Sequence, residues 1–176
     1  MDVRGLLHDY NRGRRDYSGV ALHGVDLGGL KLSGIDFQKA DLSGAVLGNA
    51  DLSRANLSQA NLTNADLGGA DLSGANLSHI NAIGADLRKA SLVGADLTQA
   101  DLRAADLEGS DLSGVNLTAV ALSGANFNDV NLFGACLQDI DLDEIDCQGA
   151  DFSELASCQL SSNIGTTHRW LSWGKH

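Results

Sequence analysis

ADLSRANLSQANLTNADLGGADLSG, residues 50–74, is five copies of one five-residue phrase. Each copy has Ala, then Asp or Asn, then Leu, then two small or polar residues. The frame extends in both directions without losing register. Leu or Phe stands at every residue number ending in 2 or 7 from Leu22 to Phe152, with Ala82 and Cys147 as the exceptions. We call that position the centre. Two residues before it comes a small or β-branched apolar residue, usually Ala, as at Ala40, Ala50 and Ala60. Glycine closes 14 of the 28 units between Arg15 and Glu154, so half of the units end on the residue that most readily adopts positive φ.

A period of five fits neither standard element. On an α-helix successive centres would step by about 140° and scatter around the cylinder. In a flat strand an odd period would send alternate centres to opposite faces. All the centres reach one core only if the chain turns once per unit, winding into a coil whose successive windings pair backbone to backbone at about 4.8 Å. The centre and the residue two before it then point inward, and the recurrent glycines suit the corners.

These units resemble the A(D/N)LXX motif of the pentapeptide-repeat family over residues 15–154. The resemblance implies an all-β solenoid, a right-handed quadrilateral β-helix with four units per coil and about seven four-sided coils. Sorting the terminal glycines by every third, fourth or fifth unit does not recover four independently. At about 4.8 Å per coil the rod is roughly 34 Å long. Its core is a ladder of centres, among them Leu42, Leu52, Leu62, Leu72, Leu102 and Phe127, beside a ladder of alanines. The small centres Ala82 and Cys147 follow the large Ile80 and Ile145, which conserves core volume.

Three segments follow. Residues 1–14 read as a helical cap. Val3, Leu6, Leu7 and Tyr10 have i, i+3, i+4, i+7 spacing, Asp2 is placed to be the N-cap, and Gly13 ends the helix. Residues 15–154 are the β-helix. Residues 155–176 lose the register but keep Leu155, Leu160, Ile164, Trp170, Leu171 and Trp173, and read as a C-terminal cap or a dimer-contact tail. In the gyrase-associated relatives a C-terminal segment mediates dimerisation, so the resemblance implies a homodimer through this tail.

The net charge is −11 and unevenly placed. Residues 1–15 carry Arg4, Arg12, Arg14 and Arg15 against Asp2 and Asp9; residues 16–154 hold 21 acids against 6 bases; the remainder carries Arg169 and Lys175 and no acid. Such a surface repels nucleic acid and anionic membrane and favours basic partners. The three cysteines, Cys136, Cys147 and Cys158, do not form a disulfide framework, and Cys136 and Cys147 are expected on opposite sides of the wall. A reducing, cytoplasmic location is expected, with no signal peptide in MDVRGLLHDY and no membrane span.

No catalytic constellation, metal site or cofactor motif stands out. The serines and glycines recur because corners recur. Asp139-x-Asp141-x-Asp143 begins like a calcium loop but has Glu144 at the sixth position and Ala150 at the twelfth. The acidic surface is the functional candidate. Twenty-one carboxylates on the rod is one per roughly 1.6 Å, against about one charge per 1.7 Å of duplex DNA. From Ala104 to Glu154 there are no bases, which selects Asp129, Asp139, Asp141, Asp143, Glu144 and Asp146 as partner-binding candidates. Val93 and Phe133, on one outward stripe, and Trp170 and Trp173 are interface candidates. The primary functional expectation is a non-catalytic scaffold that binds another protein. The alternative, which the resemblance implies, is an acidic DNA mimic that binds DNA gyrase and modulates its inhibition, although the projecting loops common in quinolone-resistance relatives are missing from 15–154.

Overall fold

A computed structural model describes residues 2–141, 145–152 and 154–156. Its one described helix, α1 (Val3–Asn11), opens the chain. Asp2 has extended backbone, and its Oδ1 accepts from the Gly5 N–H at 2.8 Å, the N-cap arrangement that sequence suggests. Leu6 is the helix residue driven into the core.

From Asp16 onward the chain makes parallel β-bridges, each linking residues twenty apart: Asp16 to Asp36, Ala21 to Asp41, Asp26 to Val46, Lys31 to Asp51, and so on to Asn131 with Asp151. Four units therefore lie between a residue and its partner. The wall has four faces, which we number by their first bridged residue: face 1 from Asp16, face 2 from Ala21, face 3 from Asp26, face 4 from Lys31.

Each unit makes the same bonds. The centre N–H donates to the next winding, as Leu52 to the Asp71 carbonyl at 2.8 Å. The residue before the centre donates to the winding below, as Asp51 to the Leu30 carbonyl at 2.9 Å. A tight turn closes the unit, as Ala55 N–H to the Leu52 carbonyl at 3.0 Å. One bridge per unit, then a corner, is why the fold needs a five-residue period: only the short flat part of each unit pairs.

The fifth residue sits at the turn position that requires positive φ. Glycine adopts it at Gly44 (φ 63°), but twelve other residues do as well, including Lys39, Asn64, Ala104 and Ala119. An L-residue there is strained by its Cβ, less so for Asn or Asp, whose short polar side chains tolerate the region. Ala104 and Ala119 (both φ 56°) have no such mitigation. Ala104→Gly and Ala119→Gly are each expected to raise stability by up to about 1 kcal/mol, read as a higher denaturation midpoint; a lower midpoint would show that chain entropy outweighs the strain.

The core is the expected pair of ladders. Leu42, Leu52, Leu62, Leu72 and Leu102 are fully buried and Phe127 nearly so, with Ala40 to Ala105 lining the inner wall between. Ala82 is fully buried beside the buried Ile80, the volume exchange expected of that unit. One inward position breaks the apolar rule. Ser110, in the column of Ala70, Ala90 and Val130, is 1% exposed, and its hydroxyl has no hydrogen-bond partner. Register in sequence places this Ser inward; that its hydroxyl lacks a partner is seen only in the structure.

At the start of the solenoid α1 lies on the first winding. The Tyr17 hydroxyl donates to the Leu6 carbonyl (3.0 Å), the Tyr10 hydroxyl to the Ser33 carbonyl (2.8 Å), and Arg14 Nε to the Asp16 carbonyl (2.9 Å). At the other end the register outlasts the repeat by two residues: Ala156 N–H donates to the Ala135 carbonyl, the bond an inner unit would make. The next centre would be Ser157, a polar residue where the ladder calls for Leu, which is where the pattern in sequence stops.

Candidate functional site

The residue before each centre carries most of the acidic charge, and its geometry follows from the turn beside it. An Asp there accepts the N–H of the residue two further on: Ser43 N–H to Asp41 Oδ1 at 3.1 Å, Ser53 to Asp51 at 3.1 Å, Ser73 to Asp71 at 2.9 Å. Where Ser or Thr follows, its hydroxyl often reinforces the same oxygen, as Ser43 Oγ does at 2.7 Å. This ties up a turn N–H that would otherwise be unsatisfied. Asn performs the same task with its carbonyl oxygen, as at Asn56, Asn61, Asn76 and Asn116. An Asn amide can in addition reach the acid one winding below: Asn56 to Asp36, Asn61 to Asp41, Asn126 to Asp106 and Asn131 to Asp111, at 3.0–3.2 Å. Alternation of Asn with Asp therefore replaces repulsion between stacked carboxylates by a hydrogen bond.

Face 3 lacks that relief in its middle, where Asp66, Asp86 and Asp106 succeed one another. Arg88 supplies it instead, pairing with Asp86 and reaching Asp106 at 3.6 Å. Arg103 pairs with Asp101 on face 2 at 2.7 Å. The hydrogen bonds from Arg88 and Arg103 hold the carboxyls of Asp86 and Asp101 below the usual range, against a smaller opposing effect of burial. Bonds from Ser18 to Asp16 and from Ser43 to Asp41 act in the same direction. A depressed folded-state pKa means that these groups stabilise the fold above the ordinary carboxylate pKa and lose that contribution as pH falls through the folded value. Arg88 and Arg103 are thus engaged within the wall.

Above those pairs the acids do not share one face. Asp129 and Asp146 are on face 3, Asp139 closes a face 1 unit, and Asp141 begins a face 2 unit; all four are exposed. Asp129 and Asp139 occupy positive-φ corners (both 56°). The set forms a collar around the C-terminal end of the rod. Asp143 and Glu144 lie outside the described residues.

Phe133 and Val93 share face 4, two windings apart with Ser113 between, and are 61% and 40% exposed. A shallow depression beside Phe133 is lined by Asn131, Asp151 and Glu154. Trp170 and Trp173 lie outside the described residues. Cys147 is a free thiol packed against the core, whereas Cys136 is disulfide-bonded, so the two do not pair with each other; the disulfide at Cys136 departs from the expectation that the cysteines form none. Among the described residues no group of three His, Cys, Asp or Glu is placed to hold a metal ion, and no helix is long and apolar enough to cross a membrane.

Comparison with known proteins bears on the whole wall. The model of pentapeptide repeats matches in eight copies, over segments that run from residue 21 to residue 146. A pentapeptide repeat protein of the Arabidopsis thaliana thylakoid lumen is 33% identical, with 57% of this chain and 70% of that chain covered and a TM-score of 0.56. HetL, a pentapeptide repeat protein involved in heterocyst differentiation regulation in Nostoc sp. strain PCC 7120, is 28% identical, with 89% and 94% covered and a TM-score of 0.41. The plasmid-mediated fluoroquinolone resistance protein QnrB1 is 27% identical, with 78% of each chain covered and a TM-score of 0.46. No curated protein sequence matches. The likeness to the Arabidopsis protein implies a right-handed quadrilateral β-helix, in line with the twenty-residue bridges, and the chain belongs to the pentapeptide-repeat family.

Proposed function

We propose that the protein is a non-catalytic scaffold: a rod of about seven coils, capped by α1, that binds a protein partner with a basic surface through its acidic C-terminal collar. The observation that carries this reading is the equivalence of Asp and Asn in the turns. Both side chains accept the same turn N–H, and Asn in addition links windings. The fold therefore asks for a side-chain oxygen and not for a charge. Asp141 and Asp146 stand at that position, where Asn would serve as well, and with Asp129, Asp139, Asp143 and Glu144 they make up an acidic collar in a stretch with no base from Ala104 to Glu154.

The variant with Asp129, Asp139, Asp141 and Asp146 all changed to Asn tests it. Stability is expected to stay within about 0.5 kcal/mol per site, as for surface substitutions that keep their local bonds. Partners captured from the native host by the wild type are expected to be lost. Capture of the same partners by both proteins would sink the reading.

A second reading makes the partner a DNA-handling enzyme, DNA gyrase being the candidate. Its support is the charge density of the rod, about one carboxylate per 1.6 Å against one charge per 1.7 Å of duplex. A supercoiling assay with purified gyrase separates the two, since a DNA mimic changes supercoiling or its sensitivity to quinolones and a general scaffold changes neither.

A further inference from the structure

Aromatic residues of the wall stand at centres, as Tyr17, Phe37, Phe127 and Phe152 do, with one departure. Phe133 occupies the outward position that follows a centre, and is 61% exposed. The turn does not use its ring. At this position a Ser such as Ser113 lends its hydroxyl to the acid two residues before it, here Asp111. Phe133 offers only its N–H, which donates to Asn131 Oδ1 at 3.1 Å as any residue would. A ring left in water forgoes the stabilisation that burial at a centre provides.

The ring borders the shallow depression on face 4, whose surroundings are set by the wall. Asn131 forms one side, its amide held by bonds to Asp111 Oδ1 at 3.1 Å and to Ser113 Oγ at 2.9 Å. The corner beside the ring is Gly134, so no side chain stands there. Asp151 and Glu154, both exposed, complete the lining. The depression lies at an irregular step of the ladder. Gly134 N–H donates to the Glu154 carbonyl, one residue further along than the pattern set by Gly94 with Ser113 and by Gly114 with Phe133. Glu154 is therefore bonded where the repeat would place the residue before it.

We propose that this depression binds the guanidinium of an arginine in a basic segment of a protein partner, with the cation stacked on Phe133 and paired with Glu154. The proposal rests on the scaffold reading and names the group that the acidic end receives. The chemistry of the lining selects this occupant. An exposed ring face adjoins carboxylates, and a planar cation satisfies both, stacking on the one and hydrogen bonding to the other. A purely apolar side chain would desolvate the carboxylates without pairing them. A second copy of the wall would bring like charge, because residues 16–154 hold 21 acids against 6 bases.

Two synthetic peptides of equal length and charge, one of alternating Gly and Arg and the other of alternating Gly and Lys, test the proposal against the full chain. The arginine peptide is expected to bind about two- to fivefold tighter, the range that an exposed cation–π contact provides. It is expected to shift the amide resonances of Asn131, Phe133 and Gly134. Phe133→Leu keeps an apolar side chain on the surface and is expected to abolish most of that preference. Glu154→Gln is expected to weaken both peptides. Equal affinity of the two peptides for the wild type would overturn the proposal. So would an arginine preference that Phe133→Leu leaves intact, unchanged affinity in Glu154→Gln, or amide shifts confined to other windings. The probes are synthetic, and the four collar substitutions leave all the lining residues in place. Failure here is therefore distinguishable from continued capture of host partners by the collar variant, which would sink the scaffold reading.

Discussion

Phe127→Ala is expected to cost about 3–5 kcal/mol and to melt the C-terminal windings ahead of the rest. Phe127 is 1% exposed in the face 3 column of centres, between Leu107 below and Cys147 above. Cys147 is smaller than the Leu found at most centres, so the large ring helps to fill a column that narrows above it. Alanine would place two small centres in succession, and the wall cannot collapse to close the gap, because Phe127 N–H and Ala125 C=O are both committed to Asp146. In a solenoid each winding contacts only its neighbours, so the loss stays local. Hydrogen exchange is expected to accelerate at residues 126–137 and to stay slow around Leu52 and Leu72. Leu72→Ala, costing about 2–5 kcal/mol in the middle of the rod, is expected to weaken both halves. Uniform acceleration along the chain in Phe127→Ala would contradict this nearest-neighbour account.

The same column shows which parts of the fold sequence makes legible. Inward and outward positions are plain because they differ in volume and polarity at a fixed period, and the structure buries Leu42 to Leu102 as that pattern requires. Four units per winding is not legible from glycine. Every corner from Gly19 to Asp139 has positive φ, and Asn49, Arg54, Gln59 and Asn64 satisfy it in succession without glycine, so glycine marks the turn of a unit and carries no information about the turn of the coil. The twenty-residue spacing is written instead in side-chain pairs such as Asn56 with Asp36 and Asn61 with Asp41. The acidic candidates were visible as charges, but their arrangement was not. Residues a few positions apart, such as Asp139, Asp141 and Asp146, belong to three faces, which turns an apparent cluster into a collar. The inward place of Ser110 follows from the same register, but the missing partner of its hydroxyl does not, because that depends on which atoms of the neighbouring windings reach it.

Tyr17→Ala is expected to cost about 3–5 kcal/mol at the other end and to release α1. Tyr17 is the first centre of face 1 and joins three structures. Its ring packs against Phe37, the next centre in the column, with centroids 6.1 Å apart and planes at 56°. The Arg14 guanidinium lies over the ring, 4.8 Å from its centroid. Its hydroxyl donates to the Leu6 carbonyl, while burial raises its pKa and keeps it a donor. Tyr17→Phe preserves the ring packing and loses only that bond, so its cost is expected near 1 kcal/mol. The two substitutions therefore separate the ring from the hydroxyl. With Tyr17→Ala, Leu6 loses the surface on which it is buried, and a nine-residue helix detached from its packing is too short to persist in water. The helical signal in circular dichroism is expected to fall while the β-bridge signal remains. The first winding would then expose the N–H and C=O groups of Ala21 and Asp26, and sedimentation is expected to show self-association that Tyr17→Phe does not cause. Equal damage from both substitutions would mean that the hydrogen bond, and not the ring, holds the helix on the rod.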